Sequence, residues 1–211
     1  MPQTETQPRD YPWSVPLGDF TLGDSTFTFR RMTPADREAV LAFARSLPAL
    51  DLLFLRNDIT QPEVVDGWLR QLEAGRTVTL LVLHEDRLVA YGSLNHSESL
   101  WTRHLGEILM LVGPEARGRG VGGLLARKLI AIAQELGLQK LWVQMMSTFR
   151  QAQELFHHLG FIPEAMLHDW VIDGHGRTHD LLMMAREVDG EEAAGDETEE
   201  EIAVRAKNVE G

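Results

Sequence analysis

Apolar and polar positions along the chain change period several times, and each change marks an element. Thr26–Met32 (TFTFRRM) alternates at period two and predicts a strand. Thr33-Pro34-Ala35-Asp36 reads as an N-cap with proline at the first helical position. The helix it opens puts Val40, Leu41, Phe43, Ala44 and Leu47 on one side and ends before Pro48. Thr60-Gln61-Pro62-Glu63 predicts a capping box, in which Thr and Glu each satisfy a free backbone N–H. Its helix carries Val64, Val65, Trp68, Leu69 and Leu72 and stops at Gly75. Thr77–His84 and Arg87–Leu94 are β-rich runs split by Glu85-Asp86, a hairpin. Glu107–Val112 is a short, almost wholly apolar strand. After a glycine-rich loop, Leu124, Leu125, Leu129, Ile132 and Leu136 mark a helix closed by Gly137. Gln139–Met146 is a strand. Thr148-Phe149-Arg150-Gln151 predicts a second capping box, for a helix (Ala152, Leu155, Phe156, Leu159) ending at Gly160. Ala165–Asp173 and Thr178–Ala185 form a last hairpin about Gly174-His175-Gly176.

The order is therefore β, α, α, β, β, β, α, β, α, β, β, without internal repeat. Hairpins mixed with crossover helices imply an α+β protein with a mixed, largely antiparallel sheet of six to seven strands and about four helices. Residues 1–24, rich in Pro, Gly and polar groups, read as a flexible arm; 25–188 form the domain; 189–211 form an acidic tail. From Asp189 onward nine acids face two bases, the pattern of a solvated end rather than a packed element.

Composition narrows the classes. The chain has 211 residues, 44% of them hydrophobic, enough for one core without staples. It has no cysteine, hence no disulfide framework, thiolate nucleophile or Cys-based zinc site. The net charge of −12 disfavours nucleic acid, which is usually met by a basic face. No signal-peptide pattern opens the chain and no run of eighteen or more apolar residues occurs. A cytoplasmic protein without membrane partners is expected.

The candidate chemistry sits in Leu111-Val112-Gly113-Pro114-Glu115-Ala116-Arg117-Gly118-Arg119-Gly120-Val121-Gly122-Gly123. Glycines let successive backbone N–H groups turn into one concavity. A helix begins there, its first N–H groups lack internal partners, and its dipole favours negative charge. Arg117 and Arg119 add positive charge. The combination asks for a phosphate or pyrophosphate. The nucleoside-triphosphate signature GxxxxGK[ST] is absent. Gly118, Gly120 and Gly123 fit GxGxxG, but the loop comes late in the chain. Gln144, where a dinucleotide site places an acid, is no carboxylate.

The string V-x-P-x-x-R-G-x-G-V-G from Val112 to Gly122 resembles the acyl-CoA loop of the GNAT superfamily of N-acyltransferases, whose (Arg or Gln)-x-x-Gly-x-(Gly or Ala) pattern is met by Arg117, Gly120 and Gly122. The helix leading into Gly160-Phe161 and the element order agree, over roughly residues 26–186. The resemblance implies a three-layer αβα GNAT-like fold and acetyl-CoA, or another acyl-CoA, as co-substrate. The strands at 107–112 and 139–146 would run parallel and splay apart. The pantetheine arm would pair with backbone near Leu111 and Val112, the pyrophosphate would rest on the N–H groups of residues 117–122, with Gly123 continuing the loop, and the thioester carbonyl would lie near the N–H of Val112.

The same resemblance makes Glu107 the candidate base, since an amine attacks only when neutral. Where many relatives carry a tyrosine that protonates the leaving thiolate, this chain has Phe156; where an asparagine is common it has Phe149. Ser147, His157 and His158 are substitutes for the acid. His175 and His179 are four apart but flank a hairpin and lack a third ligand, so no metal is expected. The acceptor groove is implied between Leu47–Thr60 and the last hairpin, for a small-molecule or peptide amine with an apolar body. The leading function is an N-acyltransferase, most simply an N-acetyltransferase. A non-catalytic acyl-CoA-binding module is the alternative, and a dinucleotide-binding protein a third. A homodimer stays open.

Overall fold

The structure, a computed structural model, describes residues 13–188 apart from 53, 54, 56 and 174. The acidic tail, 189–211, lies outside the described residues. Eight strands form one sheet: β1 (Gly18–Leu22), β2 (Ser25–Arg31), β3 (Thr77–His84), β4 (Arg87–His96), β5 (Leu105–Val112), β6 (Lys140–Met146), β7 (Ile162–Ile172) and β8 (Thr178–Glu187). Their spatial order is β1-β2-β3-β4-β5-β6-β8-β7. Every neighbouring pair is antiparallel except β5 and β6. The helices are α1 (Arg37–Ser46), the single turn α2 (Ala49–Leu52), α3 (Pro62–Glu73), α4 (Val121–Glu135) and α5 (Arg150–His158).

Strand alternation divides the apolar residues into two cores. Leu80, Val82, Ala90, Leu94, Ile108, Leu141, Val143 and Met145 join α4 and α5 on one face. Leu81, Tyr91 and Leu111 join α1 and α3 on the other. The result is a three-layer αβα arrangement of an α+β protein, the layering that the resemblance implied. Glu85 and Asp86 both have positive φ (49° and 60°), the hairpin turn whose twist suits two neighbouring strands.

The sheet has one strand more than the six to seven expected, because the described part of the expected N-terminal arm, from Trp13 on, is packed and contributes β1. Trp13 is 5% exposed, and Arg31 stacks on its ring at 3.9 Å. β1 pairs with β2 over five residues. Lys128, buried on α4, donates to the carbonyl of Pro16 at 2.6 Å and lies 3.8 Å from the centre of the Phe20 ring. Proline and glycine hid this segment: the five residues of β1 alternate, but between Gly18 and Gly23 they are too few to stand out.

Both expected capping boxes are also corrected. The N-cap of α3 is Gln61, with Pro62 in the first turn, and Thr60 instead donates its N–H and hydroxyl to Asp58. The N-cap of α5 is Phe149, without a side-chain cap. The box that does form is at Thr33, where Asp36 accepts the Thr33 N–H at 2.7 Å. Burial pushes the Asp36 carboxyl up, but bonds from Arg30 and Thr33 outweigh it and hold the group below its ordinary value. Along β7, Ile162, Met166, Trp170 and Ile172 stay exposed.

Candidate active site

β5 and β6 are joined by a crossover through α4, as a parallel pair requires. Their register runs only over Leu105↔Lys140, Gly106↔Leu141 and Glu107↔Trp142. Beyond Glu107 the two strands part. β5 continues on β4 up to Val112, and β6 continues on β8 up to Met146. A wedge therefore opens in the middle of the sheet, with Glu107 at its apex. Gly106 fixes that apex, because a Cβ there would come within 2.7 Å of Leu141.

The lining of the wedge follows from hydrogen-bond alternation. Gly113 donates its N–H to the carbonyl of Val89 at 2.8 Å, in the β4–β5 register. Antiparallel pairs alternate, so Leu111 turns its backbone groups to β4, while Val112 and Met110 turn theirs into the wedge. Of the two residues expected to meet a pantetheine arm, Val112 has the orientation for it. The side chain of Leu111 is buried in the α1/α3 core.

The glycine-rich loop closes the wide end. Gly118 and Gly120 have φ of 69° and 79°, the left-handed region that L side chains avoid. Gly120 is the N-cap of α4, and the first internal bond of that helix runs from Leu124 N–H to the Gly120 carbonyl. The N–H groups of Val121, Gly122 and Gly123 are thus left over. No acidic residue stands in this first turn. A Cβ on Gly122 would lie 3.6 Å from Leu155 and 3.7 Å from Val112, so α4, α5 and β5 converge here. The Val121 side chain is buried.

Both arginines of the loop are engaged by the protein's own groups. Arg117 donates through Nε to the carbonyl of Val112 at 3.0 Å and pairs with Asp51 at 2.7 Å. It ties the loop to the turn α2. Arg119 donates to the Ser25 hydroxyl at 3.0 Å.

Glu107 is 8% exposed and lines three adjoining cavities. The first, about 450 Å³, lies under α3 and includes Trp68, Tyr91, Ser93, Asn95 and Leu109. The second opens past Arg76, His96 and Glu98. The third runs to Trp142, Met183 and the ion pair of Lys140 with Glu164. Burial lowers the His96 imidazole below its ordinary value, so it is neutral near pH 7. The floor of the first cavity is a polar chain. Trp68 donates to Thr79 at 3.1 Å, Thr79 bonds Ser93 at 2.9 Å, and Thr77 donates to Asn95, the register partner of Glu107.

Ser147, His157 and His158 are not among the described lining residues of these three cavities. Phe156 is 6% exposed and packs edge-on against Phe161, with centres 5.1 Å apart. Phe149 is half-buried against the same core. His157 and His158 are exposed at the C-terminus of α5, and His158 donates to the Glu154 carbonyl at 2.7 Å. Ser147 joins the β8 edge through an N–H to the Asp180 carbonyl at 3.0 Å. His179 binds Asp173, whose carboxylate gathers the N–H groups of Arg177 and His175. Those bonds hold the Asp173 carboxyl well below the usual carboxylate range. The histidine pair thus belongs to a turn, and among the described residues no group of three or more His, Asp and Glu is placed to hold a metal.

Sequence reasoning missed Tyr91, Asn95, His96 and Trp142 as site residues. A signal existed for two of them: Tyr91, Ser93 and Asn95 recur at period two along β4, on one face of a strand whose other side is apolar.

The profile of the Acetyltransferase (GNAT) family matches residues 42–161, more than half of the chain. The chain belongs to the GNAT acetyltransferase family. No curated protein sequence matches it. Among solved structures, a GNAT-family acetyltransferase from Streptococcus pneumoniae is 21% identical with a TM-score of 0.68, covering 76% of this chain and 99% of its own. A ribosomal-protein-alanine N-acetyltransferase from Brucella melitensis is 25% identical with a TM-score of 0.65, covering 75% and 98%. A protein from Salmonella typhimurium, assigned as an acetyltransferase and solved with its cofactor acetyl-CoA, is 23% identical with a TM-score of 0.64, covering 82% and 99%. Among the described residues no helix is long and apolar enough to cross a membrane.

Proposed function

We propose that this protein is an N-acyltransferase that moves an acyl group, most simply acetyl, from acyl-CoA to a primary amine. The observation that carries the reading is the wedge between β5 and β6 with buried Glu107 at its apex. The residues present fit an acyl-CoA. The N–H groups of Val121, Gly122 and Gly123, with no carboxylate in that turn, suit a pyrophosphate. The backbone of Met110 and Val112 suits an extended amide-bearing arm laid along the strand edge. The thioester supplies an activated acyl carbon.

The chain's own groups then have assigned tasks. The Val112 N–H, aimed into the wedge, donates to the oxygen that becomes negative in the tetrahedral state. Glu107 accepts the proton that the ammonium must lose, directly or through water, and its burial suits a base. The three adjoining cavities give the proton a way out past His96. Protonation of the departing thiolate needs no side chain, since a thiol of pKa about 8.5 is a tolerable leaving group.

A binding module without turnover is the second reading, favoured by the burial of Phe156 where many relatives place an acid. Binding itself is tested by Gly122→Val. Gly122 has helical backbone and only ordinary contacts around a Cβ, so the variant folds, whereas Gly120→Val would be strained at φ 79°. At ~100 times its dissociation constant a ligand stabilises by ~2.7 kcal/mol. Acetyl-CoA should therefore raise the melting temperature of wild type and not of Gly122→Val. Equal shifts in both would move the site elsewhere.

A further inference from the structure

We propose that the outer strand β7 is the contact surface for a second copy of this chain, with Trp170 at its centre. Among the described residues the sheet ends at β7, whose outer edge pairs with no strand. The strand is eleven residues long. A long apolar edge is what single-copy proteins avoid, by shortening the strand or by charge, proline or a bulge.

β7 has such a bulge. Leu167 faces Leu181 and Val171 faces His179, so His168, Asp169 and Trp170 stand opposite the single residue Asp180. Asp169 has φ 54°, the left-handed region that strains an L residue. Three bonds hold it there. The Asp180 carboxylate accepts the Asp169 N–H at 3.0 Å and bonds the His168 ring at 3.1 Å, and Thr178 donates to the Asp169 carboxylate at 2.5 Å. The first two keep the Asp180 carboxyl below its ordinary value. Bulges re-aim a side chain, and the one that follows Asp169 is Trp170, 66% exposed. A bulge that only guarded the edge would turn a charged or small residue outward.

Trp170 has apolar company on its own side of the sheet. Met166 faces Leu182 and Ile172 faces Thr178. Those partners are four apart on β8, so Met166 and Ile172 share a side. Trp170, two residues before Ile172, shares it as well. Met166 is 43% exposed and Ile172 66%. At the size of these side chains the three expose roughly 400 Å², within the ~300–600 Å² of the largest patch on a typical monomer, which is often functional.

Area, charge and symmetry select a second copy as the occupant. Two copies bring together roughly 800 Å² of apolar side chain before the polar rim and the backbone edge are counted, against the ~1,000 Å² that a stable contact needs. The chain carries a net charge of −12, but the hairpin 162–186 holds four acids against two arginines and so adds little of the self-repulsion. Met166 and Ile172 each lie three residues from Asp169. A two-fold axis at the bulge therefore sets Met166 of one protomer beside Ile172 of its partner and brings the two Trp170 rings together. The chain's own segments 1–12 and 189–211 hold Met1, Tyr11, Ile202, Val204 and Val209 as their large apolar residues, too few and too scattered to cover such a patch. Glu164, on the same strand, lines the third cavity, so the contact borders the candidate active site.

The test is sedimentation equilibrium of the full chain, from micromolar to hundreds of micromolar concentration. Wild type should fit a dimer. Trp170→Glu should raise the dimer dissociation constant about thirtyfold or more, the scale of an aromatic hot spot, and Ile172→Lys should act in the same direction. Both positions are two-thirds exposed, so each variant should stay folded, read as an unchanged far-ultraviolet circular dichroism spectrum. Trp101, 86% exposed on the loop between β4 and β5, is the control, and Trp101→Ser should leave the dissociation constant unchanged. A monomeric wild type, a dissociation constant unchanged in Trp170→Glu and Ile172→Lys, or a dimer that Trp101→Ser weakens as much as Trp170→Glu overturns the proposal.

Discussion

Phe156 stands where the resemblance to the family implies a tyrosine, and its surroundings are apolar. The ring is buried and meets Phe161 edge-on, in the core that α5 shares with α4. A hydroxyl added there enters apolar packing, where an unsatisfied polar group costs about 1–3 kcal/mol. Phe156→Tyr is therefore expected to lower the denaturation midpoint and to change the rate of thiol release by less than tenfold, below the ~100-fold of an acid that is needed. A gain of ~100-fold at pH 7 that fades near pH 9 would show that the hydroxyl reaches the sulfur and that the missing acid limits the reaction. Glu107 is the contrasting residue. Sequence placed it by resemblance alone, as the first residue of an apolar run. The structure adds that it is the last residue of β5 paired with β6, and that three cavities meet at it.

At the scale of elements, the N-terminal segment differs most from its appearance in the sequence. Trp13, Pro16 and Phe20 look like parts of a loose arm, yet they cover α4 and β2 and supply the carbonyl that receives Lys128. Removing a buried tryptophan ring typically costs about 3–5 kcal/mol. Trp13→Ala should lose stability on that order in chemical denaturation; a change within about 0.5 kcal/mol, as expected of an exposed site, would mean the arm is free after all. The long elements were legible because their periods are sustained: α3, α4 and the β3–β4 hairpin stand within a few residues of where apolar spacing puts them. The glycine stops at Gly75, Gly137 and Gly160 hold as well, with φ of 72°, 72° and 81°. Short elements and caps were not legible. β1 has five residues, and at Thr60 and Thr148 a neighbouring residue took the cap. Local motifs compete among positions one residue apart, and only the packed structure chooses between them.

For the molecule as a whole, the proposed cofactor side of the site was visible in one contiguous stretch, residues 111–123, because a loop and the helix it opens are adjacent in sequence. The cavity under α3 was not. It draws Trp68 and Gly67 from α3, Tyr91 and Asn95 from β4, and Glu107 and Leu109 from β5. No spacing rule links these, because only the sheet register sets Asn95 beside Glu107. The wedge ties the two sides together: its mouth is the first turn of α4, and its apex is Glu107. The most direct measurement of that connection is amine-dependent release of thiol from acetyl-CoA, by wild type, Gly122→Val and Glu107→Gln, at pH 7. Wild type should release thiol with at least one member of a panel of primary amines. Gly122→Val should fall by loss of acetyl-CoA affinity, and Glu107→Gln should fall ~100-fold or more in kcat, the scale of a lost general base, with its acetyl-CoA melting shift intact. Thiol release absent from wild type, or equal in all three proteins, would contradict the account.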